Sequence, residues 1–356
     1  MYSICLSLSK ATTVKPNARR LGAVGCSSQM PCAKTGRGTR VPDKGRCGCR
    51  NVFIFSILNI VLFPPAITTS SAIAGLLRQC SIELNPGDSK PVEMAAERLD
   101  PGTEVSLAWI PRSNPMDMIA LAARLKRAGH LPMPHVGARH LESAAQLERL
   151  AGRLHDAGVD RILVIGGDRD RPAGPYDCSL SVMQSGVFQK ADIRRMAIGG
   201  FPEGNPHIPD TVLNDALAAK VSFARQEGLL LSIITQFCFK SEPVIEWVRA
   251  VRARGVDVPI RVGLAGPAGL LTLMRYAARC GIGNSLRVLS ENPSFARVLV
   301  ERGPQPIIKG LAAAMADGDG WRLAIRGLHF YIFGGLGKTM DWIDGERSAL
   351  NLSVCP

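Results

Sequence analysis

A glutamate set among apolar residues is the first chemically suggestive feature of the chain. Ser81-Ile82-Glu83-Leu84 reads as a short strand in which Ser81 and Glu83 face the same way. A carboxylate turned into an apolar interior is costly unless it is paired or used, and desolvation there raises its pKa toward the range of a general acid. The plainer alternative is a Glu at a frayed strand end, satisfied by water. Gly166-Gly167-Asp168 follows the apolar run 161–165. Its glycines let backbone approach a ligand and leave Asp168 beyond the strand, although Gly-Gly-Asp is also a common turn. Thr235-Gln236-Phe237 places an amide, donor and acceptor at once, where it could meet a heterocycle or simply neighbouring backbone. His135 follows Pro134 near a strand end, and of the six histidines only His135, His207 and His329 are so placed, without the spacing of metal ligands. The Pro- and Gly-rich segment Phe201-Pro202-Glu203-Gly204-Asn205-Pro206 reads as a rigid loop. Gly263-Leu264-Ala265-Gly266-Pro267-Ala268 opens a helix, whose first amides favour anions, although a plain strand-to-helix turn explains it as well. Cys238 has no His or Asn base in view, so a nucleophilic cysteine is not expected.

These residues recur at the ends of short apolar runs, and that pattern fixes the scaffold. Strands are expected at 81–84, 103–109, 133–136, 161–165, 195–199, 230–235, 260–263 and 327–332. Amphipathic helical patterns at 116–128, 141–157, 210–226, 243–253 and 268–279 lie between them. Gly129, Gly158, Gly228, Gly255 and Gly281 follow helix ends, where left-handed caps belong. Eight strand–helix units in residues 76–350 suit a (β/α)8 TIM barrel, with extra helices expected within 284–318. A doubly wound open sheet is the competing architecture, but no G-x-G-x-x-G follows the first strand. In a barrel, functional groups gather at the C-terminal ends of the strands, where the polar residues above fall.

Charge and cysteine are unevenly spread. Ten Lys/Arg and the single Asp43 give residues 1–50 a charge of +9, which leaves +4 of the total +13 for the other 306 residues. So modest a charge on the body implies no nucleic-acid partner. Five of the ten cysteines also lie in residues 1–50, where Cys47-Gly-Cys49 is too tight for a zinc knuckle. The rest are scattered as small buried hydrophobes would be in a reducing, cytoplasmic setting. An apolar run at 52–67 is broken by Pro64-Pro65 after about a dozen residues, short of the ~20 that span a bilayer. Residues 1–75 are therefore read as a disordered extension outside the enzyme, either a targeting segment or the product of a start codon placed too far upstream.

Taken in chain order, the pieces resemble the methylenetetrahydrofolate reductase family. Ser81-Ile82-Glu83-Leu84-Asn85-Pro86 is similar to its first-strand F-E-F/L-x-P pattern, Pro134-His135 to its P-H, and Gly167-Asp168 to its R-G-D. Phe201–Pro206 resembles its Y-P-E-x-H-P, Ile234-Thr235-Gln236-Phe237 its I-T-Q-x-F, and His329-Phe330-Tyr331 its H-F-Y. The resemblance implies FAD across the barrel mouth, contacted by His135, Gly166, Gly167, Asp168, Tyr176, Phe201, Asn205 and Lys220. It implies that NAD(P)H delivers hydride, and that methylenetetrahydrofolate then takes its place and leaves as 5-methyltetrahydrofolate. Glu83 would be the general acid, with Asp168 beside flavin and pterin. Gln236 would orient folate, and Tyr276 would stack on nicotinamide. No metal is implied, and homo-oligomer formation is left open.

The chain departs from the pattern where Gly166 replaces an Arg, Asn205 a His, Phe201 a Tyr and Ala108 a Thr. These changes bear on flavin affinity and on reaction direction, the reverse direction serving one-carbon catabolism. A flavin-free barrel that binds folate as a methyl-transfer partner is the competing reading. A non-catalytic scaffold is a third, opposed by the joint presence of Glu83, Asp168 and Gln236.

Overall fold

The computed structural model describes residues 68–351 apart from 86–88, 110–113, 281 and 319. The extension expected at 1–75 lies outside the described residues up to 67, as do the apolar run at 52–67 and the expected cap at Gly281. The described chain begins with a helix, Thr69–Arg78, capped by the Thr68 hydroxyl and burying Ala72, Leu76 and Leu77. That helix starts ahead of the boundary expected at residue 76 and packs on β8 and on the helix Gln305–Ala316.

Eight parallel strands close into a barrel in sequence order, β8 pairing with β1. They are β1 (Cys80–Leu84), β2 (Glu104–Leu107), β3 (Leu131–Gly137), β4 (Arg161–Ile165), β5 (Arg195–Gly200), β6 (Leu230–Phe237), β7 (Ile260–Ala265) and β8 (Ile325–Tyr331). Closure excludes the open sheet. Strand ends differ from expectation by one or two residues in all but β4. β3 begins at Leu131 although Pro132 and Pro134 follow, because Leu131 donates its N–H to Thr103 on the β2 side. The prolines alternate with it and face β4, which pairs with β3 only from His135 onward, so no ladder bond is lost.

The helices start and stop where local chemistry directs. Pro115–Arg127 has Pro at its first turn and the Asn114 side chain accepting from the Met116 N–H at 3.0 Å. Ala144–Asp156 is capped by Ser143. Gly129, Gly158, Gly228 and Gly255 take positive φ just past helix ends, as the sequence predicts. Three additional helices, Gly283–Glu291, Pro293–Arg302 and Gln305–Ala316, fill the long β7–β8 connection.

The apolar core is the shell between strands and helices, rich in Leu, Ile and Val such as Leu125, Leu154, Val248 and Leu311. The strands themselves carry an unusual share of buried polar groups: Ser81, Glu83, Ser106, His135, Thr235, Gln236 and His329 are all within 2% of fully buried. A barrel built only for stability would fill such positions with branched hydrocarbons. Among the described residues no helix is long and apolar enough to cross a membrane.

Candidate active site

Glu83 sits one residue from the C-terminal end of β1, in register with Ser106 on β2 and Tyr331 on β8. Its carboxyl is 2% exposed, and Oε2 has no hydrogen-bond partner among the described residues. Nε2 of His135 lies 3.6 Å from that oxygen, beyond hydrogen-bond reach, and is itself 2.6 Å from Oγ of Ser106. Burial holds the His135 imidazole neutral, well below its usual pKa. It therefore brings no positive charge to Glu83, whose carboxyl burial pushes up to about 7. A second buried pair lies at the β1–β8 seam. Oγ of Ser81 is 2.9 Å from Nδ1 of His329, whose pKa burial lowers to about 3.

Asp168 occupies the loop after β4, half-buried, with Oδ1 2.5 Å from Nε2 of His140. Burial alone would raise its carboxyl, but the His140 hydrogen bond and charge outweigh it and hold the group below its usual value. Asp168 is thus an anion and an acceptor, where Glu83 is an acid. Gly167 explains its own identity here: φ is +90°, and a Cβ would come within 2.9 Å of Cδ2 of His140. The loop is fastened by Arg139, 6% exposed, whose guanidinium donates to the carbonyls of Asp177 (2.9 Å), Arg169 (2.9 Å) and Asp170 (3.3 Å).

Gly166, Phe201 and Lys220 come together on one cavity of about 150 Å³ between the ends of β4 and β5 and the helix Asp210–Gln226. Gly199, Gly200 and Trp247 complete its apolar wall. Lys220 is the cavity's only cation among the described residues, and burial lowers its ammonium to about 8 against an opposing pull from Cys178.

Gln236, 1% exposed, donates Nε2 to the carbonyl of Cys280 at 3.3 Å and leaves Oε1 unpartnered. Tyr276 stacks on Phe333 at 4.1 Å, and Phe333 also meets Phe237 and Tyr331, forming an aromatic wall on the β6–β8 side. Tyr176 is buried in the β4 loop and packs in the core. Asn205 uses Oδ1 to accept the His207 N–H at 2.9 Å and bridges to Ile208, which closes the loop after β5. In that loop Glu203 accepts the N–H and hydroxyl of Ser285, whose Oγ accepts the Phe239 N–H, so its carboxylate ties the loop to the helix Gly283–Glu291 and, through Ser285, to the segment after β6. Burial raises the thiol of Cys238, in keeping with an inert residue.

Sequence reasoning passed over Ser106, Arg139 and His140. Ser106 alternates with buried Val105 and Leu107, the same signal that exposed Glu83. His140 had no such signal in the sequence; only the structure shows Gly137 and Gly167 leaving room for its ring, a Cβ on either coming within 3.0 Å of it.

No family model matches the chain. It is similar to methylenetetrahydrofolate reductase 1 of Schizosaccharomyces pombe, at 24% identity over 231 residues and 60% of this chain. The chain spans about a third of the length of that relative, the match covering 35% of it. Among solved structures it is similar to dihydropteroate synthase of Thermus thermophilus, with a TM-score of 0.45 and 14% identity over 77% of this chain and 92% of that one.

Proposed function

We propose that the barrel mouth is a flavin- and folate-dependent oxidoreductase site of the methylenetetrahydrofolate reductase type. The observation that carries this reading is Glu83, a carboxyl held near neutrality with one oxygen unpartnered, at the strand end where the resemblance calls for a general acid. The similarity to the fission-yeast reductase supports it.

The cavity beside the mouth has features that suit part of FAD. Gly166, Gly199 and Gly200 offer bare backbone, Phe201 a ring, and Lys220 a lone cation in an apolar cavity, suited to one phosphate. Bound there and across the mouth, FAD would carry hydride between NAD(P)H and the folate. The chain supplies position and protons. Glu83, whose burial favours the protonated carboxyl, donates a proton to methylenetetrahydrofolate as its bridging ring opens to the iminium. Asp168, kept anionic by His140, accepts hydrogen bonds from the pterin. Gln236 presents Oε1 to the same ring system, with its amide nitrogen already anchored.

Glu83→Gln tests the assignment. It removes the acid but keeps the shape. NADH oxidation with an artificial acceptor should persist, while folate turnover falls by about 10²–10⁴. Equal loss in both half-reactions would contradict the acid role. Failure of the wild-type chain to take up FAD, with folate binding retained, would instead favour the methyl-transfer reading.

A further inference from the structure

The opposite pole of the barrel holds a second site. A cleft of about 500 Å³ opens at the N-terminal ends of the strands and is lined by Arg161, Arg195, Arg225, Arg261 and Arg326. Arg161 and Arg195 are the first residues of β4 and β5, and Arg261 and Arg326 the second residues of β7 and β8. Parallel closure therefore brings them to one end, away from Glu83 and Asp168.

The carboxylates there do not match them. Glu104 bridges Arg161 at 2.6 Å and Arg261 at 2.7 Å. Asp160 bridges Arg161 at 2.9 Å and Arg195 at 3.5 Å, and Asp257 holds Arg225 at 2.6 Å. Five guanidiniums thus share three carboxylates. Arg326, exposed on β8, makes no hydrogen bond or ion pair among the described residues. Excess positive charge in a cleft with low-dielectric walls focuses potential on a ligand. Arg161, engaged on all three nitrogens by Asp160 and Glu104, and Arg261, held by Glu104 and the Gln79 carbonyl, form a fixed charged wall and leave Arg195 and Arg326 to meet an oxyanion. The walls between the arginines are apolar, with Met196, Leu231 and Val258 beneath and Leu230 56% exposed at the rim.

We infer that this cleft binds a small phosphate-bearing anion with an apolar body, of nucleotide size, at a site separate from the barrel mouth. Arg195 and Arg326 take the phosphate oxygens, with the field of the bridged arginines behind them, and the apolar wall takes the body.

Calorimetric titration of the full chain with tripolyphosphate, at fixed ionic strength, tests the inference. Saturable binding of one equivalent is expected, with ADP displacing it. Arg326→Glu breaks no contact within the described fold and should weaken binding by about tenfold or more, the usual loss of one charge-assisted contact. Arg195→Glu should act in the same direction. Lys220→Met, in the cavity at the other pole, should leave binding intact whether or not the flavin reading holds. Absence of binding, or affinity indifferent to Arg326→Glu, would overturn the site. Loss in Lys220→Met alone would place the anion at the mouth and overturn it equally. Tripolyphosphate that ADP cannot displace would refute the apolar-body assignment.

Discussion

At the residue scale, the site rests on two carboxyls sent in opposite directions by their surroundings. Glu83 has burial and a neutral imidazole for company, and Asp168 has a histidine in contact. Environments that drive two carboxyl pKa values apart divide acid from anion. Stability should record the same asymmetry. The folded pKa of Glu83, about 7, lies above its ordinary 4.5, so the native state binds that proton more tightly than the unfolded chain. Its contribution is full below pH 4.5 and is lost as pH rises from 4.5 through about 7. His329 has the opposite sense. Its folded pKa of about 3 lies below 6.5, so stability is lost as pH falls from 6.5 toward 3. Urea midpoints measured across this range should show Glu83→Gln gaining on the wild type as pH rises from 4.5 to 7, with the acid limb unchanged. Parallel profiles would refute the raised carboxyl. Glu83, Asp168 and Gln236 were legible in sequence because each is a polar residue at the end of an apolar run. The His140–Asp168 and Ser106–His135 contacts were not, since they join residues 28 and 29 apart that only the pairing of neighbouring strands brings into contact.

At the element scale, the loop after β4 decides whether Asp168 is usable. It contains Gly166 and Gly167, and Arg139 fastens it by collecting three of its carbonyls. Arg139→Ala should therefore cost about 2 kcal/mol of stability, as expected for losing bonds to a charged donor. The loss should be local. Amides 166–178 are expected to lose hydrogen-exchange protection while β1 and β8 keep theirs. Protection lost evenly over the barrel would mean that Arg139 supports the fold rather than the loop. Sequence placed all eight strands by their apolar runs and the helix ends by glycine. It placed β3 at 133–136, across Pro134, and fell two residues short of its start. That Pro132 and Pro134 lie where β4 leaves β3 unpaired is a tertiary fact. Asn205, which the resemblance offers as a cofactor contact, accepts the His207 N–H within its own loop, a local bond that its sequence alone did not announce.

At the scale of the whole molecule, one barrel presents two chemically distinct poles. Buried Ser, His, Glu and Gln gather toward the C-terminal mouth, and arginines gather at the N-terminal end. Parallel strands make this segregation automatic, because every residue at a strand's end shares a face with the corresponding residue of every other strand. Fold and polarity were therefore legible from the order of short motifs, whereas the arginine pole was not, its members being scattered as first and second residues of four strands and on one helix. The central claim is that the mouth passes reducing equivalents to a folate through a bound flavin. Its most direct test is the anaerobic absorption spectrum of the purified chain, supplied with FAD, before and after NADH and again after methylenetetrahydrofolate. The account predicts flavin bands that bleach with NADH and return with the folate. Bands that bleach and do not return, or a chain that takes up no flavin, would contradict it.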